Sequence, residues 1–186
     1  MAIYKIDADH SDITFKVKHL MIAHASGIFK KFDATIDVNE DDLSDAKISF
    51  EADVDSVHTK NEQRDAHLKG DDFFNAEKFP KLTFNSTGIK SEGDNEYSLN
   101  GDLTIRDITK PITLKVEYNG KITDPWGQER MGFEINGKIN RKEFGLKWSA
   151  VTEAGGIVVA DDVRLALNVE MVKQQVEAAV EADVEA

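Results

Sequence analysis

Asp12-Ile13-Thr14-Phe15-Lys16-Val17-Lys18-His19 alternates polar and apolar side chains with a period of two. Successive side chains of an extended chain point to opposite faces, so Ile13, Phe15, Val17 and His19 share one face and Asp12, Thr14, Lys16 and Lys18 the other. The pattern returns in Phe32/Ala34/Ile36/Val38, Ala46/Ile48/Phe50/Ala52/Val54, Leu82/Phe84/Ser86, Tyr97/Leu99/Gly101/Leu103/Ile105, Ile112/Leu114/Val116/Tyr118, Met131/Phe133/Ile135/Gly137/Ile139 and Val163/Leu165/Leu167/Val169/Met171. These segments read as half-buried antiparallel strands with one continuous apolar surface between them. A sheet with one oily side must fold over on itself. Closure into an up-and-down barrel achieves this and removes the unpaired edges, so the expected fold is an all-β, eight-stranded antiparallel barrel.

One interruption separates the third strand from the fourth. Thr59-Lys60-Asn61-Glu62 has the form of a capping box, and Gly70 suits a stop, which predicts a short helix over about residues 60 to 69. Asp71-Asp72-Phe73-Phe74 reads as a second helical turn, and Pro80 ends the insert. Phe73, Phe74 and Phe79 are expected to roof one end of the barrel. Ser91 to Asn95 and Thr123 to Gly127 carry hairpin turn residues. The connection from Asn140 to Asp161 is long enough to be a lid, with Phe144 and Trp148 as its apolar side chains.

The chain of 186 residues suits one domain, a barrel over residues 1–172, followed by an acidic tail over 173–186 that reads as a frayed helix or disordered. A net charge of -12 argues against a nucleic-acid partner, and an anionic membrane would repel so acidic a chain as a whole. No stable membrane insertion is expected, because no apolar run approaches the length of a spanning helix. The start, MAIYKIDADHS, shows no secretory signal, so the chain reads as cytoplasmic as written, or periplasmic if the numbering begins after a removed signal.

Catalytic constellations are sparse. There is no cysteine, and the five histidines form neither HxH nor HExxH, so no metal or other cofactor is expected. Asp9-His10-Ser11 holds the letters of a triad, yet neighbours in an extended chain point apart. Asp37 to Asp41 resembles the start of a calcium loop, but Asp42 stands where glycine is needed and Ile48 where glutamate is. Of the inward positions only His19, Ser86 and Tyr118 are polar, too few for most chemistries, and no enzyme is expected.

The open matter is what fills the barrel. Large inward residues such as Phe15, Phe50, Phe84 and Phe133 share the face with Ala34, Ala46, Gly101 and Gly137, a mixture that suits either a packed core or a hollow one. A hollow barrel lined in this way points to a lipid-like ligand. A solid one points to an interaction or stress-related module that binds a protein. For the hollow reading, Phe15, Val17, Phe32, Phe50, Phe84, Leu103, Ile105, Phe133 and Ile135 should line the lumen, and Phe73, Phe74 and Trp148 should gate it. His19 reads either as a buried core histidine or as a polar contact at the mouth. Arg64 and His67 read either as an ion pair with Asp65 tying helix to rim or as contacts to a polar head group.

Along the chain from about residue 4 to 170 stand Ile6-Asp7-Ala8-Asp9-His10-Ser11, Gly27-Ile28-Phe29, Ser56-Val57-His58-Thr59, Arg64-Asp65-Ala66-His67-Leu68, Asp72-Phe73-Phe74, Phe79-Pro80, Gly101 to Pro111 and Asn140-Arg141-Lys142-Glu143-Phe144-Gly145. In this ordered set the chain resembles the YceI-like family, bacterial lipocalin-like proteins described as polyisoprenoid-binding. The resemblance implies an extended, lipocalin-like barrel around a hydrophobic tunnel, in which an isoprenoid or other long-chain lipid lies with its polar end near one mouth. A homodimer is compatible with it. Asp107 stands before Ile108 where many relatives have glycine before valine, so this turn is expected to be built differently; the acidic tail is also outside the pattern.

Overall fold

The computed structural model describes residues 1–39, 42–152 and 155–175. The expected frayed or disordered tail from residue 176 onward lies outside them, as do residues 40–41 of the calcium-like stretch. The strands are β1 (Ala2–Ile6), β2 (Asp12–His19), β3 (Ala23–Phe29), β4 (Phe32–Asn39), β5 (Asp42–Asp53), β6 (Val57–His58), β7 (Lys81–Gly93), β8 (Glu96–Ile105), β9 (Ile108–Thr123), β10 (Glu129–Asn140) and β11 (Val159–Lys173). A single helix among the described residues, α1 (Glu62–Lys69), lies between β6 and β7.

Antiparallel pairing runs β1-β4-β5-β7-β8-β9-β10-β11 and returns to β1, closing a ring of eight. The remaining strands prolong three members of that ring. β2 continues β1 through a 3-10 turn at Ala8–His10, β3 leads into β4 through Lys30-Lys31, and β6 continues β5 through a 3-10 turn at Val54–Ser56. Asp7 caps the first turn by accepting from the Asp9 amide. Ser56 fixes the last by donating to the Asp53 carbonyl at 2.6 Å. Eight bent ribbons therefore make the expected barrel. β3 is not among the alternating segments because Ala23, Ala25 and Gly27 are too small to mark an apolar face.

Register separates the two ends. The β2–β3 turn, the α1 insert, the Arg106-Asp107 turn and residues 141–152 and 155–158 gather at one, the helix end. The β7–β8 and β9–β10 turns, the start of β1 and the end of β11 lie at the other. Asp94 and Asn95 make a two-residue hairpin with positive φ at both, the twist-matched turn that Asn and Asp tolerate. The Arg106-Asp107 turn is likewise two residues long, with Arg106 at φ 56. Pro111 sits where β9 pairs with β8 but not β10, so its missing N–H costs no ladder bond there.

The insert differs from expectation in detail. Asn61, not Thr59, caps α1 by accepting from the Arg64 amide at 2.9 Å, because Thr59 is engaged with Asp65. Asp71 to Phe74 forms hydrogen-bonded turns, Phe74 N–H to Leu68 O at 3.0 Å among them, instead of a second helical turn. Phe79 does not roof the lumen. It lies beside it, with the Arg106 guanidinium 5.6 Å from its ring centre.

Candidate functional site

The barrel is hollow. Its lumen has a volume of about 390 Å³ and an almost wholly apolar wall. Packing explains the space. The ring of Phe15 on β2 lies across Gly27 on β3, and the ring of Phe84 on β7 lies across Gly101 on β8, so close that a Cβ at either glycine would come within 2.3 Å of a ring carbon. Large rings folded flat over glycines line the wall without crossing it.

Phe15, Val17, Phe50, Phe84, Leu103, Ile105, Phe133 and Ile135 all face the lumen. Phe32 does not. The Lys30-Lys31 bend puts it at the start of β4, half-buried and stacked on Phe50 at 6.5 Å, outside the lining. Ser86 and Tyr118 are also off the lining; Ser86 accepts from the Ile48 amide at 2.8 Å and Tyr118 packs on Phe133.

At the helix end the wall becomes aromatic and then polar. Phe29 bridges Phe15 and Phe74, at 5.7 and 5.9 Å between ring centres. His67 stands edge-on to both Phe73 and Trp148, 5.0 Å from each, while its Nε2 meets Asp72 Oδ2 at 2.8 Å. Two of the three expected gating rings, Phe73 and Trp148, thus meet at one histidine, while Phe74 packs on Phe29. Lys18, His19, Thr59, Arg64, His67 and Arg141 supply polar lining there. His19 is exposed at the rim, which rules out the buried core histidine.

Arg64 and Asp65 do not pair with each other. Arg64 Nε donates to Thr59 Oγ1 at 2.8 Å and Nη2 to Thr59 O at 2.5 Å, while Asp65 Oδ1 accepts from the Thr59 amide and hydroxyl. Burial opposes ionisation of Asp65, but the two Thr59 donors together with the nearby His58 and Lys69 outweigh it and hold the carboxyl below its ordinary range. Helix and rim are joined through Thr59, with Asp65 also 3.5 Å from His58 Nδ1 and Lys69 3.7 Å from Asp55.

Two arginines that sequence reading had not singled out build this end. Arg141 is only 3% exposed. Its guanidinium donates to the carbonyls of Ala160 at 2.9 Å, Leu146 at 2.6 Å and Trp148 at 2.7 Å, binding both stems of the long connection. Arg106 donates to the carbonyls of Asp71 and Phe73 at 3.0 and 2.9 Å and so fixes the turn that carries Phe73. Both lie in the motifs that carry the family resemblance, but no periodicity marks them.

A second polar cluster lies outside the lumen. Arg130 donates to Asp7 at 2.8 Å, Glu170 at 2.5 Å and Asp124 at 2.8 Å. With His10 also bonded to it, Asp7 is held down at about 2. Asp7, His10 and Glu170 are the one trio among the described residues spaced to share a metal ion. Arg130 already neutralises both carboxylates, so the set fits an ion-pair network better than a cation site. Ser11 Oγ accepts from the Glu170 amide at 3.0 Å and makes no bond to His10, so no triad forms.

The model of the YceI-like domain matches residues 4–171. Protein YceI of Salmonella newport (strain SL254) is 39% identical over 176 residues, covering 94% of this chain and 88% of that protein. The crystal structure of Burkholderia cenocepacia BcnA superposes with a TM-score of 0.78 at 24% identity, over 89% of this chain and 98% of the other. A polyisoprenoid binding domain from Saccharophagus degradans, implicated in plant cell wall breakdown, gives a TM-score of 0.65 at 14% identity, over 90% and 97% of the two chains.

Proposed function

The chain belongs to the family of YceI-like domains, and from that premise we propose that it is a non-enzymatic carrier or store for a long-chain amphiphile of isoprenoid or fatty-acyl type. The observation that carries this reading is the hollow apolar lumen of about 390 Å³, a volume typical of small-molecule sites. Apolar cavities of this kind stay dry or take hydrocarbon. Each buried methylene contributes about 0.8 kcal/mol, so a chain of about ten supplies on the order of 8 kcal/mol before ordering costs. The solved domain of the same fold that is described as polyisoprenoid-binding offers a precedent.

In this reading the tail lies along Phe15, Phe84, Leu103, Ile105, Phe133 and Ile135, and the polar end rests at the helix end. His19 is free to meet it there, whereas Arg64 must release Thr59 and His67 must release Asp72 to do so. Native mass measurement of freshly purified protein, with solvent extraction of the same sample, tests the proposal. A bound lipid and its release are the expected result. Apo mass, no extractable lipid and no uptake of an added fluorescent fatty acid would overturn it, and leave an interaction module that binds a protein.

A further inference from the structure

The lumen does not end level around the barrel. Away from the helix end its lining stops on β1 at Ile6, on β4 at Ile36 and on β10 at Phe133. The next inward residues, Tyr4, Val38 and Met131, are buried and stand beyond it. Tyr4 shuts this floor: its hydroxyl donates to Glu129 Oε1 at 2.5 Å, and Lys121 Nζ lies 3.2 Å from the same oxygen. On β5 the lining runs further. It passes the rung that joins Ile48 to Ile36 and continues through Ala46 to Leu43, next to the first residue of that strand.

A gap in the sheet lies beside those residues. Backbone pairing of β5 with β7 ends at Ser49 and Asn85, yet β5 extends to Asp42 and β7 to Gly93. The last link is made by a side chain, Ser86 Oγ accepting from the Ile48 amide at 2.8 Å, and a bulge between Ser86 and Gly88 bends β7 away. From there the β4–β5 and β7–β8 hairpins part, with no backbone bond between them among the described residues. Other openings are covered. Where β9 leaves β10, beyond Lys115 and Asn136, the turn Arg141–Phe144 packs on β9 with Phe144 buried. At the mouth, Leu20 N–H to Val158 O at 2.9 Å and Val158 N–H to Ala150 O at 3.1 Å tie the long connection to the β2–β3 turn. Beside the β5–β7 gap, the described elements packed on the two strands are their sheet neighbours β4 and β8. Nor do its edges invite a further strand. Asp42, Asp45 and Lys47 on β5 and Lys90 and Glu92 on β7 are exposed charges, which keep open edges from pairing between molecules.

We propose that this split is a second portal of the lumen, and that the apolar end of a single-chain lipid longer than the tunnel leaves through it, past Leu43, Ala46, Ile48 and Ile89. Continuity names the occupant. Those four residues belong to the same wall as the lumen, and the charged side chains of that wall, Lys18, Arg64 and Arg141, all stand at the helix end, where the polar end of the lipid rests. The portal presupposes the carrier reading and adds to it a class of cargo, chains with no fixed upper length. Above a blind floor, surplus methylenes would push the polar end off its rim. Through a portal they pass into water, where they already stood before binding, so affinity neither gains nor loses by them.

Displacement of a bound fluorescent fatty acid from the full chain by a homologous series of saturated fatty acids separates the two cases. Affinity should rise by up to about fourfold per methylene while the lumen fills. It should then hold constant as the chain lengthens. A steady fall beyond the optimum would overturn the portal. Irradiation of a long fatty acid carrying a diazirine at its terminal methyl end, followed by peptide mapping, should label residues 43–48 or Ile89. Label on Tyr4, Met131 or Met171, or at the helix end, in place of these would overturn it too. Ala46→Trp, which sets an indole in the split, should turn the plateau into a fall, and a plateau kept by a variant whose thermal melt shows it folded would count against the portal. Should Ala46→Trp not fold, the series and the label on the parent decide alone. Failure of the fluorescent acid to bind at all would overturn the carrier reading and the portal with it, whereas firm binding with a falling series overturns the portal alone.

Discussion

Phe15 lies across the face of Gly27, its Cζ 2.3 Å from where a Cβ would stand. The two residues are directly opposite in the β2–β3 register, so the glycine exists as the seat of the ring. Gly27→Ala should push that ring into the lumen, costing about 1–3 kcal/mol of stability, as overpacking does. Apolar-probe affinity should fall with it. Thermal melts and probe titration check both, and Gly27→Ala combined with Phe15→Leu should recover most of the loss. A single mutant as stable and as capacious as the parent would refute the seating.

Arg141 is expected to hold the long connection more than the barrel. Arg141→Met leaves the carbonyls of Leu146, Trp148 and Ala160 without their donor, at a cost on the order of 3 kcal/mol. Hydrogen exchange should show the Leu20 and Val158 amides opening early while amides of β8 stay protected. Uniform loss of protection across the sheet would contradict this division.

The Arg130 network predicts an acid limb in stability. Asp7 has a folded value of about 2 against an ordinary 3.8, so its contribution is fully present above pH 4 or so and is lost as pH falls from there toward 2. His10 acts in the opposite sense: bonding to Asp7 raises its value above 6.5, so its share is present below that and is lost as pH rises through the folded value. Urea midpoints at a series of pH values should decline in acid for the parent and flatten for Asp7→Asn. An unchanged slope in Asp7→Asn would assign the limb to other carboxylates.

Trp148 closes the aromatic cluster over His67 and Phe73. Trp148→Ala should speed both entry and release of a fluorescent fatty acid, measured by stopped flow, with a smaller change in affinity than in rate. Equal rates in parent and variant would remove Trp148 from the gate.

Much of the architecture was legible because period two is a local signal. Tyr97 to Ile105 and Met131 to Ile139 alternate strictly, and both are strands with those residues inward. β3 escaped because its inward positions are Ala25, Gly27 and Phe29, only the last of them large. Phe32 keeps the inward parity of Ala34 and Ile36 but stands at the first position of β4, beyond the end of the lining, a limit that no local period marks. The gating rings could be named from their aromatic excess in a connection. Arg106, Arg130 and Arg141 could not be assigned their roles, since each acts on partners that only the closed fold brings near. Hollowness, too, depends on which ring lies over which glycine, a cross-strand relation that no single segment contains.

The closing seam has a consequence for biosynthesis. Tyr4 on β1 pairs with Lys173 on β11, so among the described strands the first to be synthesised waits for the last. Until then the nascent sheet has two raw edges and an uncovered oily face, the condition in which growing chains aggregate. The lumen therefore exists only once β11 has paired with β1, and a chain truncated before Val159 has a trough in place of a container.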